Sequence, residues 1–154
     1  MNKLEWNLKK IFSNNQLFYE EIENIKILVK EINQYKRSEL TADLLLTILN
    51  KKWKIKELSK KVLIYGSLMY YKNINNNNCI ELKRTAEKFN NEVDTALKFI
   101  DRKILSLGFK KVCNFIKENP KLNIYKLSLH NLFRLEKHIQ SGKTNQKVKE
   151  NNNN

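Results

Sequence analysis

A chain of 154 residues, 41% hydrophobic and 30% charged, is long and apolar enough to bury one domain-sized core. Its single proline and three glycines offer too little turn chemistry for a many-stranded β fold, and no run approaches the roughly 18 uncharged residues of a membrane span. The net charge of +14 draws polyanions without specifying a fold.

The opening, 1–12, carries Trp6, Leu8, Ile11 and Phe12, enough apolar surface to dock against something. Asn14 and Asn15 then supply helix-start chemistry. From Leu17 through Phe18, Ile22, Ile25, Leu28, Val29, Ile32 and Tyr35 the apolar residues recur at steps of three and four, which predicts a first helix broken at Lys36, Arg37 and Ser38. Thr41 reads as the cap of a second, long helix, with Asp43 in its first turn to meet the helix dipole. Leu45, Ile48, Ile55, Leu58, Val62, Tyr65 and Met69 keep one face of it through to Tyr71. Leu44, Leu49, Trp53 and Leu68 widen that face.

The polar, low-complexity stretch 73–78 predicts a loop. A third helix follows on Leu82, Ala86, Phe89, Val93, Ala96, Ile100 and Ile104, and Gly108 marks its end. A short fourth helix carries Phe109, Val112, Phe115 and Ile116 and stops at Asn119-Pro120. The fifth gathers Leu122, Tyr125, Leu129, Leu132 and Phe133 and ends near Gly142. Beyond it, 143–154 contains one aliphatic side chain, Val148, too little to offset the entropy of ordering, and predicts a disordered tail. The expectation is an all-α bundle of about five helices over 1–141, with one or two long antiparallel helices, and a Lys/Asn-rich tail over 142–154.

Catalytic chemistry finds little purchase. The two histidines, His130 and His138, are eight residues apart on one predicted helix, a rise of about 12 Å, whereas two ligands of one zinc must bring their nitrogens within a few ångströms. Helical zinc pairs sit at i and i+4, as in His-Glu-x-x-His, and that string is absent. Glu136, two positions before His138, points to another side. Ser128 lies two residues from His130, on a different face, and no serine occupies a Gly-x-Ser-x-Gly elbow. Cys79 and Cys113 have no metal-ligand spacing and read as ordinary thiols of a reducing, cytoplasmic protein. No catalytic, cofactor-binding or metal-binding residue is expected.

Nucleic acid is the remaining option. Lys51, Lys52, Lys54 and Lys56 surround Trp53, the cation-and-aromatic mixture of single-strand binders. Trp53 falls beside the apolar stripe of its helix, however, which predicts core packing. Only Arg37, Arg84, Arg102 and Arg134 offer the bidentate fork that reads bases and phosphates. Lysine and asparagine are also the residues that AT-rich codons favour, so genome composition accounts for the charge without selection. Weak, salt-sensitive polyanion binding is expected.

Several segments resemble the N-terminal region of the oligoendopeptidase F family of zinc metallopeptidases. Trp6-Asn7-Leu8 followed by Ile11-Phe12 resembles that family's Trp-Asp-Leu opening. Tyr65-Gly66-Ser67-Leu68 with Tyr70 looks like its Tyr-Ala-x-Leu stretch. Ala96-Leu97-x-Phe99-Ile100 and Ile104-Leu105-x-Leu107 are similar to its third helix. Asn119-Pro120-x-Leu122, then Arg134 to Ser141, resembles the segment closing its first lobe, where the family favours Arg-x-Lys-x-His-x-Leu-Ser; Glu136 and Gln140 depart from it. The resemblance runs from about Trp6 to Ser141. It implies a helical wall of a peptide channel, with zinc and the His-Glu-x-x-His pair supplied by a C-terminal domain that is not recognisable after Ser141. No catalytic or metal residue carries over to this chain. The expectation is a non-catalytic lobe that holds short peptides or docks a separately encoded catalytic domain. The wide apolar faces of the second and third helices are the expected interface.

Overall fold

The computed structural model describes residues 10–151, with side chains described through residue 139. Five α-helices are present and no strand occurs among the described residues: α1 (Asn15–Asn33), α2 (Ala42–Lys72), α3 (Asn77–Leu107), α4 (Phe109–Glu118) and α5 (Lys126–Asn151). Short 3-10 segments follow α1, at Gln34–Arg37, and precede α5, at Pro120–Tyr125. Caps set the starts as the sequence predicts. The Asn14 side chain accepts from the Leu17 N–H at 2.9 Å, and the Thr41 hydroxyl accepts from the Leu44 N–H at 3.2 Å. Asn76 accepts from the amides of Asn78 and Cys79, so α3 begins inside the stretch predicted as loop.

The chain forms two compact units, Met1–Glu39 with Thr47–Phe99, and Leu40–Leu46 with Ile100–Asn154. In unit 1, α2 and α3 run antiparallel: Lys56 pairs with Asp94, the Ser59 hydroxyl donates to Asn90 Oδ1 at 3.0 Å, and Gly66 faces Ala86. α1 runs antiparallel to α2, because Glu31 meets Lys51 at 3.1 Å and the Tyr65 hydroxyl donates to Asn15 at 2.9 Å. Phe18, Ile25, Ile32, Ile48, Ile55, Val62, Leu82 and Val93 are buried in its core. The approach of α2 to α3 is close at Gly66, where a Cβ would lie 2.7 Å from that of Ala86 and 2.8 Å from the Leu82 carbonyl oxygen.

Unit 2 collects Leu40, Ala42, Leu45, Ile100, Ile104, Val112, Phe115, Ile116, Leu122 and Leu129. The Asn119 side chain accepts from the Lys121 N–H and donates to Asp43 at 2.7 Å, binding the start of α2 to the turn after α4. Leu122 to Tyr125, expected to begin the fifth helix, is 3-10, in a segment that opens on Pro120, whose fixed φ suits a helical first position where no amide is needed. The helix expected to end near Gly142 continues to Asn151, since one glycine costs a helix only about 1 kcal/mol and no proline follows. Side chains from residue 140 on, and residues 152–154 at the end of the expected tail, lie outside the described residues; so does the apolar segment at Trp6.

Trp53 is the clearest departure. It was expected to pack in the core and is 68% exposed. At about 100° per residue it points roughly 140° away from Ile48, beyond the buried edge set by Leu49.

Candidate functional site

The most developed concavity described in unit 2 is an open cleft of about 630 Å³. Leu105 and Ser106 come from the last turn of α3, Gly108 and Phe109 open α4, and His130, Phe133, Arg134, Glu136 and Lys137 project from α5. Gly108 makes the corner. Its φ of 82° lies in the region that side-chain-bearing residues avoid, and it lets α4 start one residue after α3 ends. No side chain caps the first amides of α4. Phe109 lines the cleft, with its ring edge-on to His130 at 5.1 Å and to Phe133 at 5.4 Å.

This ring cluster was not anticipated from sequence. The signal was available in His130 and Phe133, three apart on one helix, opposite an aromatic that directly follows a helix-ending glycine.

The groups that chemistry would need are otherwise engaged. Ser106, in the cleft wall, donates to the Lys103 carbonyl at 2.7 Å, and Ser128 donates to that of Tyr125 at 2.9 Å, so each hydroxyl is turned to its own backbone. His130 is half-buried against Phe109, while His138 is exposed two turns further on. The zinc that the family resemblance implies does not fit these residues. Their separation along α5 is about 12 Å, and among the described residues no three of His, Cys, Asp or Glu gather where they could hold a metal. Cys79 is buried in unit 1, Cys113 is half-buried in unit 2, and both are free thiols.

The excess of basic residues is shared between the two units. Unit 1 holds eighteen Lys and Arg against eleven Asp and Glu, and unit 2 holds twelve against five, the same excess in each. Around Trp53, Lys51 bridges to Glu31, Lys54 to Glu57 and Lys56 to Asp94. Exposed apolar surface is also distributed otherwise than expected: among the described residues α3 exposes no large hydrophobic side chain, α2 exposes Trp53, Ile64 and Tyr71, and α5 exposes Leu127, Leu135 and Ile139. Among the described residues no helix is long and apolar enough to cross a membrane.

No family model and no solved structure matches the chain. Over 137 residues it is 28% identical to an oligoendopeptidase F homolog of Borreliella burgdorferi, a match that takes in 89% of this chain and 23% of that protein. The chain therefore spans less than a quarter of its relative's length, and the match supports the resemblance to the oligoendopeptidase F family.

Proposed function

We propose that this chain is a non-catalytic helical part of an oligoendopeptidase F-like peptidase, acting by lining a peptide channel or by docking the polypeptide that carries the zinc chemistry. The observation that carries this reading is the similarity to less than a quarter of an oligoendopeptidase F homolog, joined to the absence of His-Glu-x-x-His from all 154 residues. The cleft beside Phe109 suits a role in holding rather than cutting: it offers rings, an imidazole, cations and the Glu136 carboxylate, while the Ser106 hydroxyl in its wall is turned to its own backbone. Incubation of the purified chain with an internally quenched peptide, with and without zinc, is expected to give no hydrolysis above the buffer rate. Zinc-dependent turnover by the chain alone would refute the reading. Where a neighbouring reading frame encodes His-Glu-x-x-His, failure of the two products to co-purify removes the docking role.

A second reading, a basic nucleic-acid binder, gains from the exposure of Trp53 among lysines. It requires Trp53 fluorescence to quench on adding an oligothymidylate at physiological salt, and Trp53→Phe to abolish the signal. Binding that disappears at that salt reflects net charge alone.

A further inference from the structure

α5 is apolar on two sides. Leu129 is buried and Leu132 and Phe133 are half-buried, while Leu127, Leu135 and Ile139 are 74%, 58% and 52% exposed. Ile124, in the 3-10 turn that leads into the helix, is 75% exposed. With Asn131, these residues fall at steps of three, four, four and four, and the i±4 row is the one that forms a ridge able to seat in the groove of another helix. A helix with apolar residues beyond a single stripe is ordinarily covered on more than one side. On α2, Glu57 and Lys60 separate Trp53 from Ile64, so Trp53 stands alone, and the exposed pair Ile64 and Tyr71 is a shorter apolar stretch than the row on α5.

Charge selects the occupant. Between residues 120 and 139 the sequence holds Lys121, Lys126, Arg134 and Lys137 against Glu136 alone. A second copy docking ridge to ridge about a two-fold axis would set these cations against themselves. An anionic lipid surface would satisfy the charge, but helices that lie in lipid place aromatic and leucine residues on the buried face. This ridge has leucines but no aromatic to sit at the headgroups, and it carries the polar Asn131 at its centre. We infer that the ridge of Ile124, Leu127, Leu135 and Ile139 is a docking surface for an amphipathic helix with acidic flanks on another polypeptide. The identity of that polypeptide, the catalytic part of an oligoendopeptidase F-like protein, rests on the reading above and draws on the 23% coverage of the relative. The surface itself does not depend on it.

The experiment titrates the full chain, labelled with nitrogen-15, with two synthetic helical peptides that share an i±4 leucine ridge, one flanked by glutamates and the other by lysines. The glutamate peptide is expected to shift the amides of 124–139, and the lysine peptide to leave them in place. The pair Leu135→Lys/Ile139→Lys should weaken binding at least about tenfold, with an unchanged circular dichroism spectrum, while Trp53→Ala/Tyr71→Ala should leave it intact. The inference is overturned if neither peptide binds, if both bind alike, or if the α2 pair abolishes binding. It is equally overturned by a dimer that Leu135→Lys/Ile139→Lys dissociates, or by co-sedimentation with vesicles of equal phosphatidylcholine and phosphatidylserine that the same pair removes. Any of these results leaves the peptidase relationship standing, since that depends on hydrolysis and co-purification. Zinc-dependent turnover, conversely, would leave the ridge untouched.

Discussion

The two compact units solve the same problem, that of covering apolar stripes, to different extents. In unit 1 the exposed large hydrophobics, such as Tyr19, Ile27, Trp53 and Tyr71, are scattered among polar neighbours. In unit 2, Phe109 in the cleft apart, the exposed large hydrophobics Ile124, Leu127, Leu135 and Ile139 fall on one row. Net charge does not separate them, since the excess of cations is the same. What separates them is partnering: each helix of unit 1 meets another across its apolar face, whereas α5 has more apolar surface than its described neighbours cover. The lesson is that exposed hydrophobic content alone says little about an interface, and its alignment along a helix says more.

The largest effect should come from testing that contrast directly. Ile55 of α2 is 1% exposed and Leu135 of α5 is 58% exposed. Ile55→Ala is expected to cost about 2–5 kcal/mol of folding stability through lost burial and an unfilled cavity, and Leu135→Ala within about 0.5 kcal/mol. Urea unfolding followed by circular dichroism measures both. Comparable losses would mean that Leu135 is covered within this chain and that the contrast between the units is false.

A smaller effect belongs to the close approach of α2 and α3. Gly66→Ala should destabilise by about 1–3 kcal/mol, because its new methyl meets the Leu82 carbonyl, which a helix cannot easily move. The same variant with Ala86→Gly should regain only part of the loss, since the carbonyl contact at 2.8 Å remains. Full recovery in a thermal melt would show that the methyl–methyl contact alone set the spacing.

Periodicity made the helices and most of their buried faces legible, because steps of three and four survive any tertiary arrangement. Asn14 and Thr41 were readable as caps because capping is settled within four residues. Trp53 was misplaced because it borders its stripe, and sequence spacing does not say how wide the neighbouring helices reach. The 3-10 turn at Pro120–Tyr125 was read as helix because apolar spacing cannot distinguish a tightened turn from an α turn. The cleft around Phe109 depends on residues twenty and more apart, beyond the reach of local pattern. The apolar row on α5 spans only 124–139, but spacing alone does not say which of two apolar sides of a helix its neighbours cover.

Asn119 offers an intermediate test inside unit 2. Its side chain joins Asp43 to the turn that follows α4 and caps the Lys121 amide. Asn119→Ala should cost about 1 kcal/mol, seen as a lowered urea midpoint with unchanged slope. Asn119→Asp should keep the cap and lose the bond to Asp43, with two carboxylates now facing each other. It should therefore lose stability at low ionic strength and recover part of it in salt, and no loss at all would place the stabilisation in the cap alone.

The smallest effect returns to the difference in burial, read through two phenols. Tyr65 of unit 1 and Tyr125 of unit 2 both have pKa values above the ordinary 10.0, Tyr65 through burial and, second, the nearby Cys79 thiol, and Tyr125 through burial. A raised folded-state pKa means that the native chain holds its proton after the unfolded chain has released it. This contribution is complete below pH 10 and is lost as pH rises through the folded-state value. Tyr65→Phe should therefore flatten the alkaline decline in stability relative to the unmodified chain, while lowering stability somewhat at pH 8, because the bond to Asn15 at the start of α1 is gone. Tyr65 is 3% exposed and Tyr125 half-buried, so Tyr125→Phe should flatten the decline less. Urea midpoints at pH 8 and pH 11 for the three proteins make the comparison, with lysine titration common to all and cancelling in the differences. If Tyr125→Phe flattens the decline more than Tyr65→Phe, the phenol of unit 2 is the better shielded, and the account of α5 as the incompletely covered helix must be revised at its first turn.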